Sequence, residues 1–487
     1  MAMPLLQQSV SPQETYAGLP DNPLQSVLES PVSTFSIDVD TGSYSNIRRM
    51  LLAGQRPPRE AVRAEEMINY FHYGHPAPTD ARTPFKVSAE LAPAPWNADR
   101  QLLMLGIQGY TKPMAELPPA NLVFLIDTSG SMFSEDKLPL LKTSLRQLLP
   151  QLRAKDRISI VAYAGSAGLV LPPTPGDQRG VIEDALERLQ AGGSTNGGEG
   201  IQLAYATARQ HFIDGGINRI VLATDGDFNV GIHDRDALKT LVADQRRSGV
   251  SLSTLGFGTG NYHDAMAEQL ANVGNGSHAY IDSVSEGRKV LVEELSATLM
   301  TIAKDVKIQL EFNPAVVAEY RLIGYENRML RREDFNNDQV DAGEIGAGHN
   351  VTALYELTLV DAASPQIDPL RYQPNVAAVG KGEEIGLLRL RYKQPDGEQS
   401  RLIETPLQRR EIASHGSERL RFAAAVAAYA DLLRGGERTH GFGWPQVASL
   451  AAGSTLPDPH GYRREFLDLV ERARLLTGGD AAVAISE

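Results

Sequence analysis

Asp127, Ser129 and Ser131 stand at alternate positions within one turn, Thr195 follows in a glycine-rich stretch, and Asp225 closes an apolar run. All five offer oxygen, with no cysteine or histidine beside them. Hydroxyl and carboxylate oxygens are hard ligands, which favour Mg²⁺, Mn²⁺ or Ca²⁺ over zinc or copper. The first three belong to Asn121-Leu-Val-Phe-Leu-Ile-Asp127-Thr-Ser129-Gly-Ser131-Met132, an apolar strand that gives way to Asp-x-Ser-x-Ser before a helix. The loop Gly192 to Gly198 supplies the Thr195 hydroxyl, and the strand Ile220 to Thr224 delivers Asp225 at its end.

Those side chains need a frame that brings three loops to one place. Leu138, Leu141, Leu145, Leu148, Leu149 and Leu152 recur at three-and-four spacing, which predicts a helix with one buried stripe. Strands are expected at Ile158 to Tyr163, Ile220 to Thr224 and Val250 to Gly256, separated by helical stretches at Val181 to Gln190 and Gly200 to Phe212. Such alternation implies right-handed crossovers and a mainly parallel sheet covered on both faces, a doubly wound α/β unit. Sites in such sheets form outside the carboxyl ends of the strands, where all three loops lie.

With these residues in hand, Asp127-Thr-Ser129-Gly-Ser131, Thr195 and Thr224-Asp225-Gly226 resemble the metal-ion-dependent adhesion site of von Willebrand factor A domains over roughly residues 118–306. The resemblance implies that Ser129, Ser131 and Thr195 touch the ion directly, while Asp127 and Asp225 hold it mostly through waters. It also implies an open coordination position, completed by an Asp or Glu of another protein, since a small hard cation demands a near-ideal octahedron. Helix capping is the plainer reading of Asp127 and the serines; three loops in the right order argue against it. The flanks Asp38-Val-Asp40-Thr-Gly-Ser-Tyr44 and Asp341 to Tyr355 resemble the YfbK-type bacterial von Willebrand A proteins. That group implies export and lipid anchoring, hence a cell-envelope location, periplasmic or on the outer membrane; the anchoring cysteine and a signal segment are missing from the sequence, which a trimmed targeting segment accounts for. A cytoplasmic location is the alternative.

Composition sets further bounds. A chain of 487 residues with 42% hydrophobic content exceeds one ordinary domain. A formal charge of −13 argues against a nucleic-acid partner. Glu135, Asp136, Glu199, Asp227, Asp234 and Asp236 surround the metal loops and either favour cations and basic-flanked partners or are ordinary solvated surface. Zero cysteines exclude disulfides and thiol chemistry. No apolar run approaches the ~20 residues of a membrane span. There is no histidine next to the motif to act as base, no Gly-x-Ser-x-Gly elbow and no phosphate loop, so an enzyme is not expected. The expected function is divalent-metal-dependent protein binding. An envelope scaffold that fills the site from its own chain, and more distantly a Mg²⁺-dependent hydrolase, stay open.

The expected organisation is a flexible leader over 1–30, a strand and helix segment over 31–117, the metal unit over 118–306, a β-rich domain over 307–410 and a helical region over 411–487. Ser33 to Asp40 predicts a strand, Ser43 to Leu52 and Arg59 to Phe71 two helices, and Phe85 to Ala92 with Gln101 to Gln108 an antiparallel pair. A helix Gly287 to Ala303 precedes strands at Val306 to Phe312, Val316 to Tyr325, His349 to Val360 and Ile385 to Tyr392. If the early strands pair with these, the metal unit is inserted into a β-rich, sandwich-like domain. Helices at Leu420 to Leu433 and Gly461 to Leu476 should dock on it. Three other clusters have plainer readings than a second site. Gly256-x-Gly258-x-Gly260 has the wrong spacing for a dinucleotide loop. Asp334 to Asp341 lacks the glycine and glutamate of a calcium loop and reads as a polar turn. Asp38 and Asp40 read as caps of the following helix, with a second ion as the alternative.

Overall fold

The computed structural model describes residues 16, 18, 20–80, 82–226, 235–259, 264–362, 365–367, 382–395, 397–439 and 441–478. At its centre is a six-stranded sheet in the order His278–Ile281, Ser251–Phe257, Ile217–Thr224, Ala120–Asp127, Arg157–Tyr163, Ala167–Pro175. The first five run parallel and the last pairs antiparallel. Every residue of Ala120–Asp127 is buried, as a strand covered on both faces must be. One face packs Leu141, Leu145 and Leu148 of the helix Leu138–Leu148, the other Ile201, Ala204 and Tyr205 of the helix Gly197–Gln210. The leucine stripe continues to Leu149 and Leu152, but the α-helix stops at Leu148 and a 3₁₀ turn carries Leu149–Gln151, because Pro150 cannot extend it.

Two further sheets enclose a second core. One runs Gln25–Ser26, Val317–Ile323, Asn350–Leu359, Asn97–Gly109, Phe85–Ala94; the other runs Ile345–Gly346, Thr301–Phe312, Glu384–Lys393, Ser400–Gln408, with Val32–Ser36 also paired to Thr301–Phe312. Leu103, Leu105 and Ile107 meet Ile308, Leu310 and Leu388 between them. Strands from before the α/β unit thus pair with strands from after it, Ile107 opposite Val351 and Phe35 opposite Ile308. The α/β unit is an insertion in a β-sandwich.

Several expectations are corrected. The end of the predicted leader is built in: Gln25 pairs with Tyr320, Val27 is buried in the sandwich core, and Asn22 Nδ2 donates to the carbonyl of Gly324 at 2.6 Å. Buried Val27, the strand pairing, the Asn22 amide and the ion pairs of Asp21 with Arg59 and Arg434 hold a segment whose composition reads as linker. The helix Gly287 to Ala303 is instead a short helix Val284–Arg288, a π turn Lys289–Glu293 and a helix Leu295–Leu299, after which Thr301–Ala303 already belong to a strand. Pairing of Ala303 with Ile345 outweighs helix propensity there. Arg59 to Phe71 splits into a 3₁₀ turn Arg59–Ala61 and a helix Ala64–Asn69, because Val62 and Arg63 are extended. The first strand stops at Ser36, short of Asp40. Strands Ala167–Pro175 and Ser400–Gln408 and a helix Trp444–Ala452 had no expectation; the prolines of Ala167–Pro175 are tolerated because it is an edge strand.

The helix Glu418–Arg434 buries Phe422 through Ala430 without a gap. Its apolar residues share one core with Tyr44, Met67 and Phe71 of the N-terminal helices and with Leu102, Met104 and Leu354 of the sandwich. The C-terminal helices therefore dock on the N-terminal helices as well as on the β-rich part. Arg48 ties the pieces together: 2% exposed, it pairs with Asp282 and Glu286 of the α/β unit, with Glu465 of the helix Tyr462–Leu476, and donates to Tyr70 Oη.

Candidate metal centre

Asp127 ends its strand at the carboxyl edge of the parallel sheet, fully buried. Its Oδ1 accepts from the Ser129 backbone N–H at 2.9 Å, and its Oδ2 accepts from Tyr163 Oη at 3.2 Å and Thr224 Oγ1 at 3.3 Å. Burial pushes the Asp127 carboxyl up to about 7, against the pull of the Ser129 N–H, with Asp225 adding to the rise. The turn that the Ser129 contact closes brings Ser129 Oγ and Ser131 Oγ to 3.0 Å of each other.

The Thr195 loop is hydrogen-bonded against that turn. Gly130 N donates to Gly193 O at 3.0 Å, Gly192 N to Thr128 O at 2.8 Å and Asn196 N to Ala164 O at 2.6 Å. Gly193 has φ +85°, a left-handed conformation that a residue with a Cβ adopts only with strain. Thr195 itself is 6% exposed. Asp225 follows Ile217–Thr224, the strand next to that of Asp127, and is fully buried. Gly226 N returns to Thr224 Oγ1 at 3.0 Å. Two buried carboxylates and three hydroxyl residues thus share one edge, an all-oxygen set that fits a hard divalent cation.

Sequence reasoning missed Lys137. Its Nζ lies 2.9 Å from Asp225 Oδ2, and its side chain is 7% exposed. The lysine stem crosses Gly258, where φ is +80° and a Cβ would run into Cγ, Cδ and Cε of Lys137. A lysine just before a helix carries no periodic signal, so nothing local marks it. Gly258 makes room for this side chain; Gly260 lies outside the described residues.

The other singled-out clusters meet protein cations. Asp38 and Asp40 do not cap a helix: Arg328 pairs with both, at 3.0 and 3.2 Å, and Asp40 Oδ1 accepts from His278 N at 2.8 Å. Glu66 Oε2 instead takes the Ser43 N–H in the first turn of Gly42–Leu52, at 2.7 Å. In the polar segment, Lys307 Nζ donates to the carbonyls of Asp334 and Asn337, Asp338 pairs with Arg391 and Asp341 with Arg246. Near the metal loops, Glu135, Glu199 and Asp236 are exposed and Asp136 is half-buried, while Asp227 and Asp234 lie outside the described residues. Phe133, two residues beyond Ser131, is 79% exposed.

Fold and loop order together define a protein of the von Willebrand factor type A class, and the family model described as von Willebrand factor type A domain matches residues 121–294. A model described as von Willebrand factor matches residues 10–104, and one described as Uncharacterized protein YfbK, C-terminal, matches residues 297–476. The chain is 50% identical over 466 residues to Uncharacterized protein YfbK of Escherichia coli (strain K12), covering 94% of this chain and 80% of that protein, and it belongs to the YfbK family. Uncharacterized protein sll0103 of Synechocystis sp. is 28% identical over 297 residues, 59% of this chain and 65% of that one. Among solved structures, von Willebrand factor type A from Catenulispora acidiphila aligns over 76% of this chain and 87% of its own at 15% identity, with a TM-score of 0.42. Domains of the type A family commonly mediate protein interactions. Among the described residues, no helix is long and apolar enough to cross a membrane.

Proposed function

We propose that the edge bearing Asp127, Ser129, Ser131, Thr195 and Asp225 holds Mg²⁺, or Mn²⁺ or Ca²⁺ in its place, and that an Asp or Glu of a partner protein completes the metal shell. The chain is then a non-catalytic, metal-dependent adhesion-type module of the bacterial cell envelope. The observation that carries this reading is the Ser129 and Ser131 hydroxyl pair, 3.0 Å apart, in the same turn as a carboxylate that is wholly out of water. A buried carboxylate needs a counter-charge, and hydroxyls add uncharged oxygens without raising the local negative charge.

Ser129, Ser131 and Thr195 would coordinate the ion; Asp127 and Asp225 would supply the charge. The ion would act as a Lewis acid toward an incoming carboxylate, and the protein's part is to hold the hydroxyls fixed through the bonds from Ser129 N and Gly130 N. Exposed Phe133 offers an aromatic contact beside the site, of the kind that anchors interfaces. The test is affinity capture from cell-envelope extracts in Mg²⁺ with elution by chelator. Wild type should release an envelope protein and Asp127→Ala should capture none. Identical capture by both, or capture unaffected by chelator, overturns the reading.

A further inference from the structure

A second group of acids is buried where the N-terminal segment meets both the α/β unit and the sandwich. Asp38, Asp40, Glu65, Glu66 and Glu268 are each at most 8% exposed. Arg328 pairs with Asp38, Asp40 and Glu268, and Arg63 with Glu66 and Glu268. Five carboxylates thus pair with only two guanidinium groups, and the Arg434 that comes near Glu65 is itself paired with Glu326 and Asp21. Such an excess cannot stay ionised in a low-dielectric interior without a further positive charge.

Glu65 is where the imbalance concentrates. Its side chain is 1% exposed, and its Oε2 is buried with no hydrogen-bond partner. The chain passes close over it at Gly324, where φ is +77° and a Cβ would stand 2.6 Å from that same oxygen. Carboxylate oxygens of Asp38, Glu65 and Glu66 lie within 4.8 Å of one another. Oxygens this close can share one ion, and three buried carboxylates suit Ca²⁺, which gathers several carboxylates, better than Mg²⁺, which keeps most of its waters and takes one or two.

We propose that Asp38, Glu65 and Glu66 form a second divalent-cation site, of calcium type, separate from the Asp127 cradle. An ion there would join the strand that leads to Asp38 to the helix Ala64–Asn69. Arg328 and Glu268 already link the same place to the sandwich and the α/β unit. The site would thus fasten the junction of the three parts rather than bind an outside ligand. The competing neutraliser is a proton on Glu65, whose carboxyl burial pushes up to about 8.

The experiment uses the full chain, stripped with chelator and titrated calorimetrically with Ca²⁺ as wild type, Asp127→Ala and Asp127→Ala/Glu65→Gln. Asp127→Ala should retain one equivalent of Ca²⁺, and adding Glu65→Gln should remove it. Elemental analysis of Ca²⁺-equilibrated, desalted Asp127→Ala needs no second variant, so a misfolded double variant does not leave the matter open. One calcium per chain supports the site. No calcium in Asp127→Ala, or uptake indifferent to Glu65→Gln, overturns it and assigns the charge to protons.

Discussion

Replacing Lys137 by methionine removes the ammonium 2.9 Å from Asp225 while keeping an apolar stem to pack across Gly258. Both Asp127 and Asp225 are fully buried, so in the metal-free chain the loss leaves a carboxylate without its 2.9 Å partner. Breaking a buried pair from one side costs about 3–5 kcal/mol, most of it the uncompensated charge. A bound divalent ion supplies that charge by another route. At a hundred times its dissociation constant an ion adds about 2.7 kcal/mol to a protein that binds it only when folded. In Lys137→Met it should add more, because it also supplies the positive charge the lysine gave Asp225. The assay is urea unfolding followed by far-UV circular dichroism, in chelator and in saturating Mg²⁺. The expected result is a loss of about 3–5 kcal/mol in chelator that shrinks clearly in Mg²⁺. An equal loss in both conditions would refute the idea that lysine and ion neutralise the same acids.

Other outcomes follow from the same geometry. Arg48→Met should destabilise the chain by about 3–5 kcal/mol in thermal unfolding, since Asp282 and Glu286 lose their common partner; Arg48→Lys should recover little, because one ammonium cannot fork to both. His75 is held neutral, its pKa pushed by burial from 6.5 down to about 4, with Arg419 and His72 adding to the fall. Its contribution to stability is therefore complete above pH 6.5 and is lost as pH falls through about 4. His75→Gln should reduce the acid-induced loss between pH 7 and pH 4 by about 3 kcal/mol; an unchanged pH profile would show that the imidazole does not titrate this way. Phe133→Ala should weaken partner capture roughly tenfold or more with no change in melting temperature, as a surface anchor would; unaltered capture places the partner elsewhere.

The cradle was legible because each of its parts is local. An apolar run covering Ala120 to Ile126 declares a buried parallel strand, and the polar turn that follows has its alternate residues facing one point. The insertion was legible for a similar reason, since period-two alternation marks strands on both sides of the α/β unit. What failed were elements whose local preference lost to a distant neighbour. Thr301–Ala303 look helical by continuity, yet Ala303 pairs with Ile345. Gln25 and Ser26 read as linker, yet they pair with Tyr320 and Glu319.

The chain alone determined which atoms are available for a cation, in which loops, and that a sheet of doubly wound type would carry them, because hydrophobic period and turn chemistry act over a few residues. Only the tertiary structure decided what neutralises what. Lys137 reaches Asp225 across 88 positions, Arg48 reaches Glu465 across 417, and Arg328 reaches Asp38 across 290. Coulomb attraction in a dry interior depends on distance in space and on burial, and neither leaves a periodic mark in the order of residues.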